Sequence, residues 1–376
     1  MSKAAELAKM GEVLTNNQIG GRRNIVINGS MKCSQRSTSA TSITSTGYHA
    51  LDRFALLYTD AGTWTMAQSS TAPTGFANSL KLDCTATKAS LASDSRLFLQ
   101  TKIEGQDVQQ LKKGTSDAEY VTLSFYVRSN KTGTYQVNIE DNDNTRIIGA
   151  TYTIDSADTW ERKVIPFIGD TTGAFADDTG DSLAIMWALV AGDDNSTGAV
   201  PTSWEAKVNT DRGAGLNVNL ADNTSNEWLI TGVQLEVGNY PSGTPFEHRS
   251  FGEELQLCQR YYYERMGSGA ALAVSGGQYQ WAMNGIAYNT TLGIGGLSFP
   301  TPMRATPTLG YSDVAHFIKQ TAGRGDNVTA INLYDGVENA TTSTAYIQFN
   351  SATSTAGGAI MTSENSSARL NFDAEL

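Results

Sequence analysis

From residue 24 to about 240 the chain alternates apolar and polar side chains at period two, and nothing else in the sequence constrains the fold as much. In "EYVTLSFYVRS", Val121, Leu123, Phe125 and Val127 fall on one face, and Tyr120, Thr122, Ser124, Tyr126 and Arg128 fall on the other. Successive side chains of a strand point to opposite sides, so the pattern predicts a half-buried antiparallel strand. "TYQVNIE" repeats the device with Tyr135, Val137 and Ile139 inward, and the turn-forming "DNDN" at 141–144 follows it. "TWERKVIPF", "DSLAIMWALV" and "NEWLITGVQLEVG" continue the series across loops such as "GDTTGAFADDTGD". Short strands at this spacing, without helical patterns between them, predict a mainly β fold. Residues 24–247 are expected to form a two-sheet antiparallel sandwich of the jelly-roll type.

Two helical patterns interrupt the strands. Residues 3–14 place Leu7, Met10 and Leu14 on one stripe ahead of the breaker-rich "TNNQIGGRRN". So short a helix is marginal alone and must pack on the body or dock onto a partner, so 1–23 is assigned as an N-terminal docking segment. The second pattern is "GTPFEHRSFGEELQLCQRYYY". Ser250 and Glu253 satisfy a capping box, and Phe251, Leu255, Cys258 and Tyr262 make one apolar stripe. Gly267 and Gly269 close the segment, which predicts a linker helix over 248–266 packed on the end of the sandwich. Strand-like alternation then resumes in "QYQWAMNGIAY", "TLGIGGLSF", "AYIQFN" and "ARLNFDAEL". The proline-rich "FPTPMRATPTLG" cannot lie in a central strand. Residues 267–376 are thus expected to form a second, smaller β domain.

Charge and motif content exclude several functions. The formal net charge of −11 repels nucleic acid and anionic membranes, and no basic stripe offsets it. No stretch is apolar for long enough to insert into a membrane, and "MSKAAELAKMGEVL" lacks the apolar run of a signal peptide. Cys33, Cys84 and Cys258 are odd in number and widely spaced, which predicts buried free thiols, not a disulfide framework or a zinc site. His49, His248 and His316 are isolated, and neither G-x-S-x-G nor a phosphate loop occurs. Asp141, Asn142 and Asp143, like Asp193, Asp194 and Asn195, lack EF-hand spacing and are assigned to turns, so no metal or cofactor is expected. The "RGD" at 324–326 is assigned to a Gly/Asp loop.

Four segments carry a family resemblance: "RNIVINGSMKCSQRSTSAT" with "YHALDRFALL", then "FYVRSNKTGTYQV", then "GVQLEVGNYPSGTPFEHRSFGEELQLCQRYYYER". Together they resemble a group of phage virion proteins, tail fibre or structural, common in marine and cyanobacterial phages. The resemblance spans roughly residues 1–265, and the first half of such proteins is similar to a carbohydrate-binding-module jelly roll. It implies a non-enzymatic component of the virion, assembled in the host cytoplasm and released by lysis. Its partners would be other tail or capsid proteins, and fibres of this sort are commonly homotrimers. Three functions follow as expectations: a tail fibre or receptor-binding protein attaching the particle to host-surface glycans, a capsid decoration or cement protein, and a fibre-borne depolymerase. The last needs two suitably placed carboxylates, a requirement that 38 acidic residues do not narrow. It would also usually rest on a β-helix, and no solenoid period is present.

Glycan recognition uses aromatic rings stacked on sugar faces with polar groups beside them. The candidates are Trp64 in "GTWTMAQ", Tyr126 and Arg128 on one predicted face, Tyr279 and Trp281 on another, and Tyr311 with His316 bracketing a loop. For each of these aromatics core packing is the competing assignment. Trp187, flanked at period two by Leu183, Ile185 and Leu189, is assigned to the core, as is Trp160.

Overall fold

The computed structural model describes residues 23–266, 272–274, 277–279, 282–321, 324–334, 340–351, 357–363 and 368–376. The predicted docking helix, with Leu7, Met10 and Leu14, lies outside the described residues. The chain divides into two compact units, Met1–Glu254 and Leu255–Leu376.

The first unit is a sandwich of two antiparallel sheets. One has the order β1 (Ser39–Ile43), β4 (Thr63–Ser69), β5 (Ser79–Ala86), β13 (Glu227–Val237), β7 (Val121–Ser129), β10 (Glu161–Phe167). The other runs β12 (Glu205–Ala206), β9 (Arg146–Ile154), β8 (Gly133–Asp141), β11 (Asp181–Ala191), β6 (Arg96–Glu104), β3 (Ala55–Thr59), β2 (Gly47–Tyr48). From β5 to β13 the chain changes sheet at nearly every connection, which is jelly-roll wiring.

The alternation in the sequence sets which side of each strand is inside. Val121, Leu123, Phe125 and Val127 are buried in the core, as are Tyr135, Val137 and Ile139 on β8. Phe125 meets Tyr152 and Trp187 edge-on, with ring centroids 5.2 and 5.7 Å apart, an arrangement favoured by the ring quadrupoles. Burial pushes the Tyr135 phenol up to about 12, because the ionised form would sit in an apolar interior. The free thiols of Cys33, Cys84 and Cys258 are buried. Trp160 is half-buried, just ahead of β10.

The second unit contains the sheet β14 (Tyr262–Met266), β24 (Arg369–Asp373), β19 (Thr308–Tyr311) and the hairpin β15 (Leu272–Val274), β16 (Gly277–Tyr279). A closed barrel runs β17 (Ala282–Ala287), β18 (Leu292–Ser298), β22 (Thr344–Ser351), β21 (Arg324–Leu333), β20 (Phe317–Thr321), β23 (Gly357–Ser363). Closure pairs strand edges that would otherwise template aggregation. The Arg324–Asp326 tripeptide, expected in a loop, opens β21 and pairs along β20, with Asp326 opposite Lys319.

The helix is shorter than its predicted span, and of the expected stripe Cys258 and Tyr262 are buried whereas Phe251 is not. It covers Phe251–Gln259, and Tyr262 belongs to β14. The Ser250 hydroxyl accepts the Glu253 amide at 3.3 Å, as the capping box requires. Phe251, expected on the buried stripe, is 57% exposed, whereas Glu254 is 2% exposed. The Glu254 carboxylate takes the inner position because it accepts the Asn28 amide at 2.6 Å and pairs with Arg249.

Candidate functional site

The strand "RLFLQTKIE" turns Leu97, Leu99 and Ile103 into the core and leaves Arg96, Phe98, Gln100 and Lys102 on the outer face. On β11 the residues in register are small or flexible. Ala184 sits between Lys102 and Glu140, Met186 between Gln100 and Asn138, and Ala188 between Phe98 and Gln136. Side chains in register point to the same side of a sheet, so Ala184, flanked by Lys102 and Glu140, leaves a trough at that end of β11, whereas Met186 and Ala188 are fully covered.

A loop closes one side of it. Gln136, fully buried, donates to the Asp211 carbonyl and accepts the Gly215 amide, and Asn138 donates to the Arg212 carbonyl. These bonds hold residues 211–215 against the sheet. The Arg212 guanidinium lies 5.4 Å from the centre of the Phe98 ring and forks onto Glu140 at 2.7 and 3.2 Å. The remaining opening, about 260 Å³, is lined by Leu57, Arg96, Gln100, Lys102, Asp181 and Lys207 among others.

Most polar groups of the trough are fixed to one another. Lys207 reaches Glu140 at 3.4 Å and the Asn142 side-chain oxygen at 2.8 Å. Lys102 pairs with Asp181 at 2.8 Å, and Asn142 donates to that same carboxylate at 3.0 Å. Two groups are left over. The Gln100 side chain is 8% exposed and makes no hydrogen bond among the described residues, although it lines the opening. Arg96 has no carboxylate partner among them, and its Nε is buried without an acceptor. An amide that faces the opening with no protein partner is free to bond a ligand there.

The sequence-derived candidates lie elsewhere and form no single site. Trp64 is fully buried, its indole donating to the Ala61 carbonyl at 2.7 Å, so its ring cannot stack on an external ligand. It belongs to β4, whose alternation runs Trp64 and Met66 inward, and the assignment as a binding residue is corrected to core. Tyr126 is half-buried, with Phe76 at 5.4 Å and the Arg162 guanidinium at 5.9 Å from its ring. Phe76 also touches Phe246 and His248, so these rings pin the segment before the helix to the outer sheet face. Arg128 is held between Asp158 and Glu227, which makes it a sheet tie, not a free ligand donor.

In the second unit Tyr311 is exposed at the end of β19, and His316 ends a single 3-10 turn, its Nδ1 3.0 Å from the Ser312 hydroxyl. Tyr279 ends β16 opposite Leu272, and its side chain, like the whole of Trp281, lies outside the described residues.

The two Asp/Asn runs assigned to turns have distinct settings. Asp193, Asp194 and Asn195 form part of a one-turn helix, Asp193–Ser196. Asp141 lies at the β8–β9 hairpin, where its carboxylate and that of Asp170 face the Lys113 ammonium. That ammonium also donates to the Thr172 and Gly173 carbonyls at 2.8 and 2.7 Å, and it lies 5.2 and 5.4 Å from the Phe175 and Trp204 ring centres. An internal cation thus fills this oxygen cage. No group of three or more His, Cys, Asp or Glu suited to a metal is present among the described residues. No helix among them is long and apolar enough to cross a membrane.

No family model matches the chain, and no curated protein matches it. Among solved structures, the enzymatically active domain of bacteriophage CBA120 tailspike protein 4 is similar at 13% identity and TM-score 0.29 over 57% of this chain. The match spans about a fifth of that protein, 21% of its length. A putative sugar-binding protein from Bacteroides thetaiotaomicron is similar at 15% identity and TM-score 0.33, over 57% of this chain and 100% of that one. The family 11 carbohydrate-binding module from Clostridium thermocellum, solved with a mixed-linked tetrasaccharide, is similar at 9% identity and TM-score 0.27, over 54% and 96%. At scores this low the likenesses carry no argument about what this chain binds.

Proposed function

We propose that this chain is a non-enzymatic glycan-binding protein of a phage virion, a tail fibre or receptor-binding component that attaches the particle to host-surface glycans. One observation carries the binding reading: the Gln100 side chain, without a hydrogen-bond partner among the described residues, lines a trough in which every other polar side chain except Arg96 is held by its neighbours. Saccharides offer dense hydroxyl donors and acceptors, which suit a preorganised polar trough with an apolar floor. Binding without cleavage fits the engagement of its two carboxylates, because Glu140 and Asp181 are each held in an ion pair within the trough. The virion setting is supported by the resemblance of the four quoted segments, which run through the sandwich into the helix.

The test is a glycan array probed with the full chain and with Gln100→Ala. Expected is binding by the natural chain and a loss of about tenfold or more in the variant, the discrimination one buried hydrogen bond supplies. Absence of binding by the natural chain, or equal binding by both, sinks the reading. Gold labelling on intact particles tests the location, and labels on the shell instead of the tail overturn the fibre assignment.

A further inference from the structure

The charge of the trough opposes that of the chain. It is lined by four cations, Arg96, Lys102, Lys207 and Arg212, and by two carboxylates, Glu140 and Asp181, in a protein of formal net charge −11. The excess can be located. Lys102 and Asp181 neutralise each other, whereas Arg212 and Lys207 share the single carboxylate of Glu140. Arg96 has no carboxylate at all among the described residues. Two positive charges are therefore uncompensated, one beside Glu140 and one at Arg96.

A neutral sugar would leave both charges uncompensated, and holding cations together without counter-charge works against folding. A guanidinium with no internal partner is also the group best shaped to take a carboxylate in two parallel hydrogen bonds. We infer that the trough recognises a carboxylated saccharide, a uronate- or sialate-type residue whose acid group is taken by Arg96 and whose neighbouring hydroxyl reaches the Gln100 amide. The inference rests on the glycan-binding reading and narrows its ligand class. It also gives the acidic chain a way to approach an anionic cell surface, with local attraction at the trough against general repulsion elsewhere.

The experiment titrates the full chain with oligogalacturonate, with its neutral methyl ester and with a sulfated oligosaccharide, at low and high salt, alongside Arg96→Gln. Expected is binding of oligogalacturonate that weakens as salt rises, at least tenfold weaker binding of the ester, and a drop of about tenfold for the charged ligand in Arg96→Gln. A sulfated ligand preferred over the uronate overturns the carboxylate assignment. Equal affinity for acid and ester overturns the inference while leaving glycan binding intact, and binding of no saccharide removes both. Circular dichroism of the variant guards the comparison, and the acid-versus-ester contrast in the natural chain decides the matter if Arg96→Gln fails to fold.

Discussion

Arg249 and Glu254 form an ion pair, Nη1 to Oε1 at 3.1 Å, with side chains only 4% and 3% exposed. The guanidinium also donates to the Val26 and Asn24 carbonyls, and the carboxylate accepts the Asn28 amide. The start of the sandwich is thereby stapled to the turn of chain where the helix begins. Removing one partner leaves the other charge buried and alone, at a cost of about 3–5 kcal/mol. Glu254→Gln and Arg249→Met should each lower the urea midpoint of the first unit accordingly. Five of the six tryptophans precede residue 255, so tryptophan fluorescence reports mainly on that unit. A double replacement that costs no more than either single change would show that the pair acts as one.

Lys113 fills with an ammonium a cage of two carboxylates and two carbonyls that resembles a cation site. Lys113→Met should destabilise the first unit by about 3–5 kcal/mol, since the fully buried Asp141 would lose its ion-pair partner while Asp170 would keep only Arg146. The natural chain should melt at the same temperature in chelator as in calcium. A midpoint raised by calcium would mean that the metal, and not the lysine, completes this corner.

The same cage sets an acid limit. Burial works against the Asp170 charge, but hydrogen bonds from Arg146, the Thr172 amide and Lys113 outweigh it and hold the carboxyl below its ordinary 3.8. A carboxyl lowered by folding contributes its full stability above the unfolded value and loses it as pH falls through the folded one. Stability should therefore fall from about pH 4 downward, and Asp170→Asn should flatten that slope. Glu161, Asp222 and Glu227 are lowered as well, so part of the slope should survive the substitution. Thermal melts at half-unit pH steps measure both.

Gly232 sits at φ +62° where the β13–β7 register shifts between Thr231 and Gln234. A methyl group there would lie 2.7 Å from the Phe76 ring and 3.0 Å from the Tyr126 ring. Gly232→Ala should cost about 2 kcal/mol from the left-handed backbone alone, with more from displaced rings. Loss of the Phe76 contact with Phe246 and His248 should also make the segment around residue 246 more sensitive to limited proteolysis.

Much of the sandwich was legible because burial on one face of a strand writes itself as period two. Val121 to Val127 and Tyr135 to Ile139 show this, and the same rule applied to "RLFLQTKIE" would have exposed Arg96, Gln100 and Lys102 as one outward row. The trough itself was not legible. It depends on which strands lie beside β6, on the small residues that register brings to β11, and on a loop some seventy residues from Gln136. Neighbouring strands are set by topology, which alternation does not encode. Within the helix, whose cap and buried Cys258 follow the pattern, Phe251 departs for a different reason: Glu254 takes the buried position because Arg249, five residues before the carboxylate, supplies a partner. Barrel closure in the second unit was equally hidden, since closed and open sheets alternate alike.

Trp64 is the clearest case in which residue type misled, because the same indole suits a sugar platform and a core. Its zero exposure and its bond to the Ala61 carbonyl decide between them. Trp64→Phe keeps an aromatic ring in the core but leaves that carbonyl without its donor and opens space where the second ring stood. The expected loss is about 1–3 kcal/mol for an unsatisfied buried acceptor, with the cavity adding to it. Saccharide affinity should be unchanged in the same variant, whereas Gln100→Ala should reverse the pattern, lowering affinity with little effect on the urea midpoint. If Trp64→Phe instead weakened binding at full stability, the ring would have to face a ligand, and the core assignment would fall.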